Sequence, residues 1–410
     1  MARNTAHTRP LWLVVCSPRM LVAFIMGFSC GLPLLLTLTV LQAWMREAGV
    51  DLSTIGLMAL VGLPYTLKFL WAPMLDRFTL PFLGRRRGWL WVAQTSLAGS
   101  LILLGFMSPG ACPACLAGAA LLVTFFSASQ DIVVDAYRRE DLPDEELGLG
   151  ASLYINGYRC GMLLASGGGL ILADHLHFKW VYVIMAGCLI PGMLTTLFAP
   201  EPPVFSGTPK TVKDAVLAPL LEYFARPGAL SILAFILLYK LGDSMASAMT
   251  TPFYLDMGFS KTEIGAIVKL CGFWAVLGGG TLGGILMVRL GIRRSLFFFG
   301  VLQAVSTAGF ALLAVCGHNL TLLALVIGFE NLTGGMGTAA YVAFMASITD
   351  KRFTATQYAL LSSLMGVPRV LASAPTGYLA DTVGWPAFFT GCTLIAIPGL
   401  MLIRRVCGRQ

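Results

Sequence analysis

Charge is what this sequence has least of. Of its 410 residues only 12 % are Asp, Glu, Lys or Arg, while 57 % are hydrophobic, a balance foreign to a water-soluble globule. Histidine is nearly absent as well. His7, His175, His177 and His318 are the only four, and all fall in connections or near the N-terminus, away from any buried catalytic cluster. The one G-x-S-x-G match, GFSCG (27–31), lies inside an apolar window without the strand-to-helix turn of a nucleophile elbow, and no GxxxxGK[ST] phosphate loop occurs, so nothing points to an acyl-transfer enzyme or to a pump driven by ATP. No catalytic residue, metal ligand or cofactor is expected.

What the chain has instead is apolar length. Windows of about 20 apolar residues, enough to cross a bilayer as a helix, recur twelve times, at roughly 20–44, 55–76, 88–107, 114–137, 148–173, 179–198, 228–255, 262–288, 294–316, 319–349, 354–380 and 385–403. The lipid bilayer is therefore a partner, and the fold class is all-α integral membrane. No cleavable signal peptide is evident, so the first window doubles as the insertion signal. Most of the 28 Lys and Arg lie at the N-terminus, the even-to-odd connections and the C-terminus, with only Arg46, Lys179 and Lys261 at the other ends. Basic residues accumulate on the cytoplasmic side, which predicts that both termini are cytoplasmic. The net charge of +8 marks topology, and a nucleic-acid partner is not expected. Cys112 and Cys115 have thioredoxin-like spacing on a predicted outer loop without the βαβ context of a redox enzyme; a local disulfide or chance proximity is the expectation.

The chain is a tandem repeat. LLASGGGLILAD (163–174) lies over VLASAPTGYLAD (370–381) at an offset of 207, Gly84, Arg86 and Arg87 lie over Gly291, Arg293 and Arg294, and GVDLSTIG (49–56) matches GFSKTEIG (258–265) at 209. Six windows per copy, an even number, give both copies the same orientation. The reading is an N-terminal six-helix bundle over 1–199, a cytoplasmic linker over 200–227 and a C-terminal six-helix bundle over 228–410. Within the linker, Val212, Val216, Leu220 and Phe224 fall on one stripe after Pro209. That pattern suits a helix lying on the membrane surface, or a plain amphipathic tether.

The connection between the second and third windows, APMLDRFTLPFLGRRRGW (72–89), resembles the G-x-x-x-D-R-x-G-R-R signature of the major facilitator superfamily, with Ala72 for the first glycine and about five residues inserted. CGLPLLLTLTVLQAWM (30–45), SASQDIVVDAY (127–137), YKLGDSMA (239–246), FENLTGGMGTAA (329–340) and TATQYALLS (354–362) are more specific, and together they resemble the AmpG family of muropeptide permeases. The acetyl-coenzyme A transporters share the QD-then-D pattern. The resemblance implies the major facilitator fold, twelve transmembrane helices in two pseudo-symmetric bundles, usually monomeric. It further implies proton symport of anhydro-muropeptides across a bacterial inner membrane, during peptidoglycan recycling tied to beta-lactamase induction. Some members extend past the twelfth helix, whereas this chain ends at Gln410, so no role of that extension is expected.

Charges inside hydrocarbon are costly and tend to be functional. Nine fall within windows: Lys68, Asp131, Asp135, Arg159, Lys240, Asp243, Lys269, Glu330 and Arg369. The third, sixth, ninth and twelfth windows have none, which agrees with the resemblance, since in that fold the third helix of each triplet faces lipid. Asp131 and Asp135 stand one helical turn apart. Asp131 is the deeper, and with Glu330 and Asp243 is a candidate for proton coupling. Asp135, with Asp76, Arg77, Gly84, Arg86 and Arg87, is assigned to a cytoplasmic gate, as a partner of the 77–87 connection. The acid at 76 has no second-half counterpart, because Gly283 stands there. Arg159, Lys240, Lys269 and Arg369 offer charge-assisted bonds to carboxylates, and Gln42, Asn156, Tyr158 and Gln357 offer hydrogen bonds to hydroxyls. Lys68, Gln130, Tyr239 and Asn331 complete the candidate substrate site. Lys240 and Asp243 are also spaced to neutralise each other as a static pair, and Lys68 to pair with an acid on the fourth window. An anionic, polar glycopeptide fits this inventory; so does a coenzyme A ester or a sugar phosphate.

Overall fold

The computed structural model describes residues 17–110, 112–203, 212–226, 228–372 and 375–407; the side chains of Lys269 and Arg369, both candidate substrate ligands, lie outside the described set. Among the described residues every regular element is helical. In lipid this is what the backbone demands, because a helix satisfies its own N–H and C=O groups where no water is available. In chain order the helices are α1 (Pro18–Glu47), α2 (a broken run over 52–77), α3 (Arg85–Gly105), α4 (Pro113–Asp141), α5 (147–173) and α6 (Phe178–Phe198). The linker helix α7 (Val212–Ala225) follows, then α8 (Ala229–Asp256), α9 (261–290), α10 (Ile292–Cys316), α11 (Leu320–Ser347), α12 (Thr354–Leu371), α13 (Thr376–Val383) and α14 (Trp385–Cys407).

Among the described residues nine helices are long and apolar enough to cross a membrane, so the chain is a multi-pass membrane protein. The windows at 55–76, 148–173 and 354–380 fall instead on interrupted helices. Pro64 and Pro73 each open a new turn of α2, since proline has no N–H to continue the ladder. A π-helical segment, Leu164–Gly168, divides α5. Cys112 and Cys115, ahead of and in the first turn of α4, are joined as a disulfide.

The repeat read from the sequence is visible in the backbone. Gly84 and Gly291, one ahead of α3 and the other ahead of α10, have φ of 87° and 77°, and Gly49 and Gly258 have φ of 79° and 82°. These are left-handed values that favour glycine, and they recur at the offsets of 207 and 209 between the copies. Within the first half α1 and α5 approach at backbone contact. A Cβ at Gly27 or Gly31 would lie 2.1 or 2.0 Å from the carbonyl oxygens of Tyr154 and Tyr158, and one at Gly157 would lie 2.0 Å from that of Phe24. This is small-xxx-small packing, in which lipid-embedded helices gain dispersion contacts by removing side chains. Gly157→Ala is accordingly expected to cost about 1–3 kcal/mol by overpacking, read as a lower melting temperature and a smaller monodisperse fraction in detergent; an unchanged melting curve would contradict the close approach.

The halves meet where α5 packs on α9 and α11, and where α2 and α4 pack on α12. The linker helix docks on the end of α2, on α12 and on α8, with Tyr223 only 1 % exposed and Phe224, one of the four stripe residues, turned outward. It begins at Val212; Pro209 and the side chains of Val212, Val216 and Leu220 lie outside the described set.

Candidate functional site

Two arrangements of charge occupy the line between the halves. The first is a clamp at the end where the 77–87 connection lies, called here the basic end. Arg86 is wholly buried and bonds Asp76 at 2.7 Å and Glu140 at 2.6 Å, and Arg85 forms an ion pair with Glu140 at 2.9 Å. From the other half, Thr356 bonds Asp76 through its amide (2.8 Å) and its hydroxyl (2.7 Å), as does the Ala355 amide at 3.2 Å. Asp76 thereby caps the N-terminus of α12, where orphan N–H groups and the helix dipole favour a carboxylate. Thr354 meets both Arg86 and Glu140, and Arg138 bonds Asp135 and the Tyr358 hydroxyl, each at 3.1 Å. A clamp of this density holds the two halves together at the basic end.

The gate residues named from the sequence divide between this clamp and its surroundings. Asp76 and Arg86 are at its centre. Asp135 is joined through Arg138 on its own helix and not to the 77–87 connection. Arg87 braces the first half alone: its guanidinium bonds the carbonyls of Thr196 and Leu197, and its amide, with that of Arg86, bonds Glu201. Gly84 leaves room for Glu201, since a Cβ there would stand 2.7 Å from the Glu201 carboxyl carbon. Arg77 lies over the Phe78 ring at 5.5 Å, with its Nε unpaired. Arg85, Glu140, Thr354 and Thr356 were not among the candidates. Glu140 follows the fourth window in a stretch that reads as connection; its position opposite Arg86 is the signal available, and only folding reveals it.

The second arrangement is a cavity of ≈ 270 Å³ between the halves, lined by Arg159 of α5 and by residues of α8–α11, among them Lys240, Asp243, Glu330 and Asn331. These are five of the candidate coupling and substrate residues. Lys240 bonds both Asp243 and Gln303 at 3.2 Å, so the Lys240–Asp243 pair forms and a third group holds its lysine. Ser306 donates to Glu330. Arg159 is bonded at 3.1 Å to the Val276 carbonyl, which uses one of five N–H donors and leaves the guanidinium fork free to face a ligand.

Other candidates stand apart from this cavity. Asp131 is 7 % exposed in the first half, within the field of Lys68 and beside Cys30, and Gln130 bonds the Cys30 sulfur at 3.3 Å. Asn156 bridges the halves through the Leu277 carbonyl (3.2 Å) and the Thr281 hydroxyl (2.8 Å). Tyr158 tilts against Tyr154 at 6.2 Å, and Tyr239 donates to the Leu296 carbonyl and stacks on Tyr341. Gln42 is exposed near the end of α1. Gln357 is away from the cavity altogether: it ties Glu222 and the Pro219 carbonyl of the linker helix to the Asp350 amide. Burial alone would raise the Asp350 carboxyl, but hydrogen bonds from Arg352 hold it below the usual range.

Two helical halves that sandwich a charged cavity and are clamped shut at one end define a class, the secondary transporters that work by alternating access. The chain matches the Major Facilitator Superfamily model over residues 19–373. It is 45 % identical to the anhydromuropeptide permease of Escherichia coli (strain K12), covering 94 % of this chain and 79 % of that one. It is 32 % identical to a protein carrying the name AmpG 1 in Rickettsia prowazekii (strain Madrid E), covering 94 % and 97 %. The proton:xylose symporter XylE shares the fold, with a TM-score of 0.71 over 94 % of both chains at 12 % identity. The chain belongs to the AmpG family of permeases within the major facilitator superfamily.

Proposed function

We propose that this protein imports anhydro-muropeptides, GlcNAc-anhydroMurNAc and its peptides, from periplasm to cytoplasm with protons, across the inner membrane of a Gram-negative bacterium. In this reading twelve helices cross the membrane, both termini are cytoplasmic, the protein acts as a monomer, and the proton gradient is the driving force in place of any cofactor. The basic end is then the cytoplasmic end, and the described state is closed to the cytoplasm. The 45 % identity to a permease of that name over 94 % of the chain supports the substrate class. The observation that carries the reading is the cavity, where Arg159 from one half and Lys240 from the other stand with Asp243, Glu330 and Asn331. Two cations suit the carboxylates of a peptide stem, amides and hydroxyls suit sugar hydroxyls, and the acids can change charge as access alternates. At ≈ 270 Å³ the cavity is below the roughly 300–1,000 Å³ of ordinary ligand sites, so a glycopeptide must extend from it toward the unclamped end.

The test is uptake of a defined anhydro-disaccharide peptide into proteoliposomes, with and without an imposed pH gradient. Accumulation only with the inside alkaline is expected, and competition by unlabelled muropeptide but not by acetyl-coenzyme A. Competition by the thioester alone would reassign the substrate. Arg159→Gln is expected to weaken apparent affinity at least tenfold, or about 1.4 kcal/mol, because Gln cannot form the two-pronged carboxylate contact of a guanidinium. An affinity within about twofold of the parent would make Arg159 a bridge to Val276 and no more.

A further inference from the structure

We propose that Ser306 of α10, assisted by Thr333 of α11, is a positioning residue that lets Glu330 take up and release a proton while its surroundings stay in place. The proposal rests on the proton-coupled reading and deepens it at the same site.

A hydroxyl owns one hydrogen and accepts at two lone pairs, and an ionised carboxylate only accepts, whereas a protonated one also donates. Ser306, 1 % exposed, has three oxygens around its Oγ: the Gln303 carbonyl at 2.8 Å, Thr333 Oγ1 at 2.9 Å, and Glu330 Oε2 in contact. It cannot donate to all three. With Glu330 ionised, Ser306 gives its hydrogen to the carboxylate and accepts one from Thr333. With Glu330 protonated, the acid donates to Ser306, whose hydrogen turns to the Gln303 carbonyl. Thr333 then returns its hydrogen to the Phe329 or Glu330 carbonyl, 3.0 and 3.1 Å away. The Ser306 and Thr333 hydroxyls and the Glu330 Oε2 are satisfied in both states. The Gln303 carbonyl is not orphaned in the first, because the Thr307 hydroxyl also donates to it at 3.0 Å. Switching therefore needs two hydroxyl rotations and no helix movement. The only species exchanged is the proton, which passes between the carboxyl and water in the cavity.

Buried serine and threonine in helices often bond back to their own carbonyls with no further role. Ser306 does this too, but it also reaches a carboxylate on the neighbouring helix. The same face of α10 supplies Gln303, whose side-chain oxygen holds Lys240 at 3.2 Å. Window nine has no charge and reads as lipid-facing, yet α10 turns Gln303, Ser306 and Thr307 inward, none more than 5 % exposed. The titratable groups that share the cavity with Glu330 are Lys240, Asp243 and Tyr254 of α8 and Arg159 of α5. Lys269 of α9 has its side chain outside the described set.

The experiment compares Ser306→Ala, Ser306→Thr, Thr333→Val and Glu330→Gln in proteoliposomes, measuring the pH profile of gradient-driven muropeptide uptake together with counterflow at equal pH on both sides. Ser306→Ala removes the donor to the ionised acid, so the protonated form persists to higher pH. The midpoint of uptake is expected to move upward by about one pH unit, the worth of a hydrogen bond to a charged group, while counterflow remains. Ser306→Thr is expected to restore the parent profile, and Thr333→Val to move it in the same direction by less. If Ser306→Ala fails to fold, Thr333→Val carries the same test. Unmoved midpoints in the folded variants, with Glu330→Gln still abolishing accumulation, would overturn the role of Ser306 and leave the coupling role of Glu330 standing. Accumulation that survives Glu330→Gln would overturn the coupling reading itself.

Discussion

Glu140→Gln is expected to open the basic end and to slow net uptake at least tenfold. Glu140 is 3 % exposed and is shared by Arg85 at 2.9 Å and Arg86 at 2.6 Å, with Thr354 of the other half against it. Neutralising it leaves two buried guanidinium groups with Asp76 as the remaining acid of the clamp. Breaking a buried ion pair from one side costs about 3–5 kcal/mol, because the surviving charge stays desolvated. Tenfold in an equilibrium is about 1.4 kcal/mol, so the balance between states moves by at least roughly a hundredfold toward the one in which water reaches these arginines. A cysteine placed at Leu361, fully buried on α12, reports this in a background without reactive thiols. It should react with a membrane-impermeant maleimide from the basic side in the Glu140→Gln protein and be protected in the parent. Asp76→Asn is expected to act in the same direction, since it weakens the cap on α12. Arg85→Gln combined with Glu140→Gln should recover part of the protection by removing one unpaired cation. Equal labelling in all four proteins would remove the clamp as the closing device.

How much of this was legible beforehand depended on whether a feature is local. Helical windows, the duplication and its special glycines are local, and Gly84 with Gly291 repeated its left-handed backbone where the offset put it. Which apolar runs carry a charge was also legible, because a residue that is costly to bury stands out in such a run. Partnership was not. Asp76 meets Thr356 and Glu140 meets Thr354 across the two halves, and nothing in the spacing of either acid selects a threonine more than 200 positions away. Neutral polar residues were the other blind spot. Gln303 and Ser306 carry no charge to mark them, so a window that reads as lipid-facing supplies the groups that orient Lys240 and Glu330. Gln357 erred in the opposite sense: an amide in an apolar helix reads as a sugar ligand, yet its place in the first turn of α12 puts it against the linker helix.

The same separation of local from spatial information decides which acid should couple transport to protons. Asp131 and Glu330 are alike in the sequence, each an acid deep in an apolar window, but the fold gives them different company. Glu330 lines the cavity with Asp243, Lys240 and Arg159, so a ligand carboxylate entering between Arg159 and Lys240 must change the field at Glu330 directly. Asp131 is buried in the first half beside Cys30 and Gln130 and within the field of Lys68, and none of these lines that cavity. A proton is carried only by a group that meets water from both sides in turn and feels the substrate when it binds. Glu330→Gln is therefore expected to abolish accumulation under a pH gradient while counterflow persists, because a neutral amide imitates the protonated, substrate-binding form and cannot be discharged. Asp243→Asn should weaken both activities, since it also releases Lys240. Asp131→Asn is the discriminating partner: should it retain accumulation, coupling belongs to the cavity acids alone. Should it match Glu330→Gln, with folded yield and counterflow preserved, both halves carry the proton. Equal loss of uptake and counterflow in Glu330→Gln would instead make Glu330 a ligand or a structural acid.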